Sequence, residues 1–466
     1  MFTKPKSQID KAHKMKQYIS LFLILVGTFA QAQEKKWTLR ECVDYALEKN
    51  ISIQQAQLDN ESIAIDKKDA LGNFLPSANA SASHNWNIGL NFNPITNLAE
   101  TQTFQNTAVG FNMGIDIYNG LQNQNRLRRS NLSKIAGQYQ LEKMKDDVSL
   151  NVANAFLQIL FNKENLKVQK DQLLNNQKQK DRTQTLVDAG SVPRGDLLDM
   201  TATVATSQQA VVNAENALLI SKLSLAQLLQ LEDFKNFDIV DADYPLIESE
   251  VMLQSPDAIY NKAKEERVEL KIARANLDIA KKDIDIARGA LHPSLRGFYS
   301  FSSRATNSDR FSTDGNGNLV VRGPDAIFNQ FSENKGNAFG VQLNIPILNG
   351  FSARNNIERS KVAFKRSEIA VNQQELDLER NVYTAFTDAN GALNAYEAAV
   401  TALEARTESF KYAQERFDVG LLNAFDLNQS QTLFANAQSD VIRTKYDYIF
   451  RVKVVEFYFG IPIEGR

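Results

Sequence analysis

The sequence is poor in the residues that build disulfide frameworks, metal sites and nucleophilic active sites. It has one cysteine, Cys42, in 466 residues, so no disulfide can form within a single chain. The three histidines are His13, His84 and His292, and none has a partner at the spacing of a metal or nucleophile site. The composition therefore predicts a protein that is not an enzyme and carries no cofactor and no metal.

Long apolar runs are absent except near the start of the chain. The apolar run 19–30 follows Lys14-Met15-Lys16 and ends in Ala30-Gln31-Ala32, the charged, apolar and cleavage regions of a secretory signal. We therefore interpret residues 1–32 as a signal peptide. A single transmembrane anchor is the alternative, but the run is shorter than the roughly 20 residues that a span needs. Cys42 is interpreted as a buried helix residue.

An excess of positive charge is also lacking. Removing residues 1–32 takes away five lysines and one aspartate, which leaves 48 basic and 54 acidic residues. The nucleic-acid backbone requires a basic footprint on its partner. The charge therefore predicts that the protein does not bind nucleic acid.

Proline and glycine are nearly absent from residues 121–188, where Gly137 is the one glycine. A helix of this length would be about 100 Å long. A heptad spacing, typical of a left-handed supercoil, marks its second part. The seam residues are Val148, Val152, Ala155, Ile159, Asn162, Leu166, Gln169, Leu173, Asn176, Lys180, Thr183 and Val187. Half of them are small or polar, so we expect the helix to pack beside several others rather than in one tight pair.

The same pattern returns 230 residues later. The shifted seam is Leu378, Val382, Ala385, Ala389, Ala392, Tyr396, Ala399, Leu403, Arg406, Phe410, Ala413 and Phe417. The glycines that open and close the two helices, Gly120 and Gly190, recur as Gly350 and Gly420. A recurring seam with both ends in register indicates an internal duplication.

The duplication divides the chain into two repeats with the same order of elements. The first repeat, 33–253, is predicted to contain a helix over 37–73, strands 76–90 and 107–118, a long helix 121–188, a tip 189–195, a helix 196–231 and an irregular link 232–254. The second repeat, 255–466, is predicted to contain a helix 255–291, strands 294–304 and 337–348, a long helix 351–418, a tip 419–425 and a helix 426–460. A glycine-rich polar loop joins its two strands.

The predicted strands alternate between apolar and polar residues. In residues 108–118, Val109, Phe111 and Met113 share one side, while Gly110 and Asn112 share the other. A half-buried sheet on a soluble core would also alternate. The length of the strands, their polar second face and the signal peptide favour a transmembrane barrel instead. Four strands cannot close a barrel, so two chains would give eight strands and three would give twelve.

Several motifs resemble the TolC-like outer-membrane efflux protein family of Gram-negative bacteria. They are Leu75-Pro76-Ser77, His292-Pro293-Ser294, the run from Ile345 to Gly350 and the two glycine-centred tips. The resemblance covers nearly the whole mature chain. It implies a mainly α fold with a small β-barrel contribution: duplicated helical hairpins form a periplasmic α-barrel, and four strands per chain complete a 12-stranded barrel in a homotrimer.

The resemblance also implies a location and partners. The trimer would sit in lipid of the outer membrane, extend into the periplasm, and work with a periplasmic adaptor protein and an inner-membrane transporter. Asp196 and Asp426, six residues after the tip glycines, match the family's constricting aspartates, and Asp199 follows one turn later. The acidic side chains could instead serve only as N-caps of the helices after the tips.

The family's gate positions correspond here to Phe417 and Leu422, which lack the hydrogen-bonding groups found in well-known members. Closure would then rest on apolar packing or on Arg194. The adaptor would dock at Gly190, Val192, Gly420 and Leu421, which could otherwise be only turn formers. The sequence predicts a passive export duct of a tripartite efflux or type I secretion system; a non-conducting periplasmic scaffold or adhesin is the alternative.

Overall fold

The computed structural model describes residues 36–92, 98–232, 234, 236–241 and 249–463, and the predicted signal peptide lies outside these ranges. The described chain is mostly helical. Its helices are α1 (Leu39–Lys49), α2 (Ile51–Gly72), α3 (Gln122–Asp188), α4 (Arg194–Leu228), α5 (Pro256–Glu266), α6 (Val268–Gly289), α7 (Ile327–Glu333), α8 (Ser352–Asp418) and α9 (Ala424–Phe459). Its strands are β1 (Lys36–Trp37), β2 (Ser77–Phe92), β3 (Ala99–Asn119), β4 (Asp238–Ile239), β5 (Ser294–Thr306), β6 (Arg310–Thr313), β7 (Leu319–Arg322) and β8 (Gly336–Asn344). None of the described helices combines the length and the hydropathy needed to cross a membrane.

The chain forms two compact units. The helical unit consists of the described residues of Met1–Ala56, Glu142–Arg267 and Leu376–Arg466, and the sheet unit consists of Gln57–Leu141 and Val268–Glu375. These units do not coincide with the two repeats, because each repeat contributes segments to both.

The two long helices, α3 and α8, each contain 67 residues and begin one residue later than predicted. Each follows a joint of two successive left-handed residues. Gly120 and Leu121 have φ of 56° and 60°, and Gly350 and Phe351 have φ of 58° and 63°. Glycine adopts this backbone without a Cβ clash, whereas leucine and phenylalanine do so at a cost. The duplication is therefore visible in the backbone.

The short helices before the strands are broken, which corrects the prediction of single helices over 37–73 and 255–291. The breaks fall at Asn50 and Arg267, 217 residues apart, where ψ is 131° and 128°. The Asn50 amide donates to the Leu228 carbonyl at 2.9 Å, and its oxygen accepts from the Ser52 N–H. One tertiary bond and one local side-chain bond thus support the break at Asn50, and periodicity alone does not reveal them.

Arg267 is buried at its break. Its guanidinium lies 3.3 Å from the Asp146 carboxylate and 3.8 Å from the centre of the Phe457 ring. The ion pair and the cation–π contact satisfy a charge that burial would otherwise penalise. Arg267 therefore ties the α5–α6 break to α3 and α9 within the helical unit.

The heptad seam of the second repeat forms a core in the helical unit. Leu378, Val382 and Ala389 of α8 are buried with α5 and α9 residues. Their partners include Ile259, Ala263, Tyr448, Val452 and Val455. The seam therefore contacts more than one helix, as its weak spacing predicts.

The link after α4 is held by lysines. Lys163 donates to Asp238 at 2.8 Å and to Asp241 at 2.6 Å, Lys222 donates to Asp238 at 2.9 Å, and Lys36 donates to Asp241 at 2.9 Å. Burial would raise the pKa of Asp238, but the hydrogen bonds from Lys163 and Lys222 outweigh it and lower that pKa. Hydrogen bonds from Lys163 and Lys36 lower the pKa of Asp241. The adjacent strands β1 and β4 pair in parallel. The predicted irregular link is thus partly ordered where the structure describes it.

The sheet unit carries an antiparallel sheet in the order β2-β3-β5-β8, so β2 and β8 are its edges. Strand β3 begins eight residues before its predicted start, and β8 ends four residues before its predicted end. Residues that pair directly across neighbouring strands lie on the same face of the sheet. One face is apolar, with Trp86, Ile88, Val109, Phe111, Met113, Tyr299, Phe339 and Val341. The other is mainly small and polar, with Ser81, Ser83, Asn85, Gly110, Asn112, Ser300, Ser302 and Gln342.

The segment between β5 and β8 is not the structureless loop that its composition predicts. It contains the hairpin β6–β7 and the helix α7. The buried Gln330 amide bonds to the backbone of Thr306 and to the Asp325 carbonyl, and the Ser303 hydroxyl donates to the Phe331 carbonyl. These side-chain bonds hold α7 on β5, and no sequence periodicity signals them.

Candidate functional site: the hairpin tips

The two hairpin tips end their long helices in the same way. Gly190 and Gly420 have φ of 72° and 78°. The Ser191 N–H bonds to the Leu186 carbonyl at 2.9 Å, and the Leu421 N–H bonds to the Arg416 carbonyl at 2.8 Å. This is the left-handed glycine cap that satisfies the last carbonyls of a helix. Each tip glycine therefore has a local role in ending its helix.

The helices after the tips begin two residues earlier than predicted, at Arg194 and Ala424. Their N-caps are Pro193 and Asn423, so neither Asp196 nor Asp426 is a cap residue. Both aspartates lie in the first turn, where carboxylates interact favourably with the helix dipole. The N-cap alternative is therefore wrong.

The two constriction candidates have different neighbours. The Asp426 N–H donates to Asn423 Oδ1 at 2.8 Å, and Asn423 Nδ2 donates to Asp426 Oδ2 at 3.1 Å. Asp196 has no such support, because Pro193 provides no side-chain cap. Asp426 and Asp199 are exposed, and Asp196 is half-buried. Three carboxylates of the tips are thus accessible to solvent in the single chain.

Arg182 joins the two hairpins of one chain. Its guanidinium forms an ion pair with the Asp418 carboxylate and lies 5.5 Å from the centre of the Phe417 ring. We call Arg182, Phe417 and Asp418 the tip clamp. Phe417 is a predicted gate residue, but its partner Arg182 was not predicted. Arg182 lies beside the seam residue Thr183 rather than on the seam, so periodicity does not select it.

The other predicted gate and docking residues differ in their exposure to solvent. Arg194 is exposed at the start of α4, and Leu422 is half-buried in the second tip. Of the docking candidates, Leu421 is exposed and Val192 is half-buried.

The first hairpin has a polar interior near its tip, and the polar packing continues into its contact with α9 of the second hairpin. Asn176 is fully buried, and its amide donates to the Ser207 hydroxyl at 2.6 Å. Asn428 of α9 donates to the Thr203 hydroxyl at 3.1 Å. Within the described ranges, four buried side-chain atoms here have no hydrogen-bond partner: Asn176 Oδ1, Gln179 Nε2, Asn428 Oδ1 and Gln431 Nε2. Unsatisfied buried polar atoms are costly, so this packing is weaker than an apolar core.

The second hairpin also has an aromatic contact near its tip. Phe410 of α8 stacks on Phe434 of α9 with ring centres 5.4 Å apart and an interplanar angle of 9°. Aromatic stacking adds to the burial of apolar area. Phe410 occupies the seam position that Lys180 holds in the first repeat, so the two hairpins differ in their packing near the tips.

A comparison with protein families finds one family whose model matches parts of both repeats. The model of the outer membrane efflux protein family matches residues 42–230 and 259–452. A curated relative, outer membrane protein TolC of Vibrio cholerae serotype O1, is 22% identical over 308 residues. That alignment covers 65% of this chain and 65% of the relative, so the chain spans a little under two thirds of its length.

Solved structures share the fold. The outer membrane channel CmeC of Campylobacter jejuni matches with a TM-score of 0.75 and 18% identity, over 91% of this chain and 85% of the other. The outer membrane protein VceC of Vibrio cholerae matches with a TM-score of 0.72 and 13% identity, over 91% of this chain and 96% of the other. Since the family model covers more than half of the sequence, the chain belongs to the outer membrane efflux protein family.

Proposed function

We propose that this chain forms the passive outer-membrane duct of a tripartite efflux or type I secretion system. Three copies join their sheets into a 12-stranded barrel in the outer membrane, and their helices line a tunnel in the periplasm. The two-faced sheet with open edges is the observation that carries this proposal. An apolar face suits lipid, a polar face suits a water-filled lumen, and open edges require partner strands.

Exposed heptad stripes support assembly from several copies. On α2 the stripe includes Leu58 and Ile65, and on α8 it includes Val362 and Ile369. Apolar residues spaced by seven form a seam that packs against another helix. In the single chain these residues are exposed. A homotrimer supplies helices that cover them.

The tip is the gate of the proposed duct. The tip clamp holds the two hairpins of each chain together, in place of a hydrogen bond that Phe417 and Leu422 cannot make. Asp196, Asp199 and Asp426 form acidic rings at the constriction, which favour cations over anions. The polar interior around Asn176 makes the first hairpin the part that separates when the duct opens.

The tips also carry the proposed docking surface. A periplasmic adaptor protein contacts the turns at Gly190, Val192, Gly420 and Leu421, and an inner-membrane transporter supplies the substrate and the energy. No enzymatic step belongs to this function. The exposed side chain of Leu421 supports the docking proposal.

Planar lipid bilayers test the duct against the non-conducting scaffold. The purified full-length protein is expected to produce discrete current steps of uniform size when it inserts. A scaffold would bind the bilayer without current steps. Inserted protein that never conducts, even with its tip clamp removed, would contradict the proposal that the chain forms a duct.

A further inference from the structure

Helix α7 packs against the apolar face of the sheet. Ser303 of β5 pairs with Val109 of β3, a member of that face, and Ala305 lies on the same face two residues further along. Ser303 and Ala305 are only 3% and 2% exposed. The Ser303 hydroxyl donates to the Phe331 carbonyl of α7 at 2.8 Å. The helix therefore covers the end of β5 on the face that the proposed function assigns to lipid.

The apolar face of β3 becomes polar at the level of α7. Between this level and α3, the residues of β3 on this face are Val109, Phe111, Met113 and Ile115. Towards the other end of β3, the residues on the same face are Thr101, Thr103, Gln105 and Thr107. A transmembrane strand shows such a change where it leaves the apolar band of a membrane barrel. The sequence of β3 therefore places the bilayer surface beside α7.

An aromatic pair marks the same level on β2. His84 lies opposite Thr107, and its Nδ1 is hydrogen-bonded to the Thr107 hydroxyl at 2.7 Å. The His84 ring contacts the exposed Trp86 ring edge-on, with ring centres 4.1 Å apart. Tryptophan is enriched at bilayer surfaces, where its ring lies in an apolar layer and its N–H reaches water. Ile88 and Leu90 continue the apolar side of β2 beyond Trp86, so β3 and the aromatic pair fix this level.

The side of α7 that points away from the sheet is apolar. Gln330 is buried against β5, where its amide bonds to the Thr306 backbone. Phe328 precedes Gln330 by two residues, which places it about 200° around the helix. It is 82% exposed, and the neighbouring Ile327 is also exposed. An exposed apolar patch of this kind indicates a surface that contacts a partner or a membrane.

The charged groups beside α7 are paired with one another. The Arg310 guanidinium of β6 forms ion pairs with the carboxylates of Asp325, before the helix, and Glu333, at its end. Charged side chains near the bilayer core are costly and usually pair in this way. The turn between β6 and β7 is polar and exposed instead, and its Asn316 N–H donates to an Asp314 carboxylate oxygen at 2.9 Å. Within this segment, α7 is therefore the part suited to lipid.

We infer that α7 is an interfacial helix that inserts Phe328 and Ile327 into the outer leaflet of the outer membrane beside the barrel. Its partner is the acyl region of the lipid, because the exposed patch continues the sheet face that the proposed function gives to lipid. Interfacial helices bury their apolar side about 5–10 Å into the boundary between headgroups and acyl chains. This role of α7 rests on the proposed barrel and specifies where the bilayer surface crosses it.

Spin labels test the depth of α7 in the full-length protein, reconstituted into vesicles of phosphatidylethanolamine and phosphatidylglycerol. In a Cys42→Ala background, single labels are attached to Phe328→Cys on α7, to Met113→Cys on the apolar face of β3 and to Asn316→Cys in the β6–β7 turn. Electron paramagnetic resonance measures how often each label collides with oxygen, which concentrates in lipid, and with a nickel chelate, which stays in water.

The labels at positions 328 and 113 should collide mainly with oxygen, and the label at position 316 mainly with the nickel chelate. The ratio of the two collision rates should place the label at position 328 about 5–10 Å below the bilayer surface. The nitroxide side chain is itself apolar, so it replaces the Phe328 ring without adding charge. Position 316 is the matched control, because it belongs to the same segment between β5 and β8 but lies in its polar turn.

The outcomes separate the interfacial helix from the barrel. If the label at position 113 lies in lipid but the label at position 328 meets the nickel chelate as often as the one at position 316, the interfacial helix alone is overturned. A label at position 328 that is shielded from both reagents would mean that protein covers α7, which also overturns it. Equal depth in lipid at positions 316 and 328 would overturn the assignment to α7. A label at position 113 that lies in water would overturn the barrel and the interfacial helix together.

Discussion

Asp426 and Asp196 occupy equivalent places in two related helices but differ in how firmly they are held. The hydrogen bonds with Asn423 fix the Asp426 carboxylate at the start of α9. Pro193 offers no such bond to Asp196. In the proposed homotrimer, a fixed, exposed carboxylate from each of three chains would create a ring of negative potential. For the proposed role in ion selection, we therefore expect Asp426 to contribute more than Asp196.

Replacing Asp426 with asparagine should lower the cation selectivity of the duct. The cation-to-anion permeability ratio should fall on the order of twofold, since one carboxylate per chain is lost. Reversal potentials in asymmetric salt measure this ratio in planar bilayers. Asp440→Asn is the control, because Asp440 pairs with Arg443 well after the first turn of α9. An unchanged ratio in Asp426→Asn would leave Asp426 with only a role in starting the helix.

The sequence predicts the candidate residues that lie on a repeat or in a motif. Asp196, Asp426 and Phe417 follow from the tip glycines and the family resemblance. Arg182 does not, because its partner Asp418 lies on the other long helix and the first repeat alone gives no reason to pair them. Contacts between distant helices depend on the rotation of each helix, which a weak seam does not determine.

The link element around Asp238 and Asp241 should respond to acid. Both pKa values are lowered by bonds from lysines, so the ionised carboxylates stabilise the folded link. This stabilisation is complete above the ordinary aspartate pKa of about 4 and is lost as the pH falls through the lower folded values.

Hydrogen exchange measures this effect. The Val240 N–H donates to the Trp37 carbonyl at 3.0 Å, and its protection factor should be lower at pH 3 than at pH 6. Asp238→Asn should reduce the protection of this N–H at pH 6 and weaken the dependence of its protection on pH. Asp44→Asn, which affects only a surface pair with Arg40, should behave as the unmodified protein does. Protection that is constant from pH 6 to pH 3 would contradict the role of the lysine bonds.

Helices with a clear apolar period are predicted well from the sequence, whereas breaks within a helix are not. The long helices are placed to within one residue because no proline breaks them and both ends carry left-handed glycines. The breaks at Asn50 and Arg267 are missed because they depend on partners such as Leu228 and Asp146 that are distant in sequence. Helix α7 is missed because its stability comes from side-chain bonds to β5 rather than from an apolar period.

At the scale of the whole molecule, the duplication explains why the sheet of a single chain has two unpaired edge strands. Each repeat supplies two strands, and the β3–β5 junction satisfies one edge of each repeat. Strands β2 and β8 remain at the edges, and the stripes on α2 and α8 remain exposed. The number of strands predicts that several chains combine, but strand counting alone allows two as well as three. The family resemblance favours three.

In the proposed function, contacts within each chain hold the duct shut at its tips, and substitution of Arg182 probes these contacts. An exposed ion pair contributes about 0.5 kcal/mol and a cation–π contact about 0.5 kcal/mol. Three clamps then contribute about 3 kcal/mol, which corresponds to on the order of a hundredfold in the open population. Lys170→Ala is the matched control, because its ion pair with Glu215 lies within the first hairpin.

Single-channel recording of Arg182→Ala in planar bilayers measures how strongly the tip clamp holds the duct shut. Arg182→Ala should have a much larger open probability than the unmodified protein, while Lys170→Ala should keep the unmodified value. Inserted trimers of Arg182→Ala with the same open probability as the unmodified protein would show that the tip clamp does not hold the duct shut.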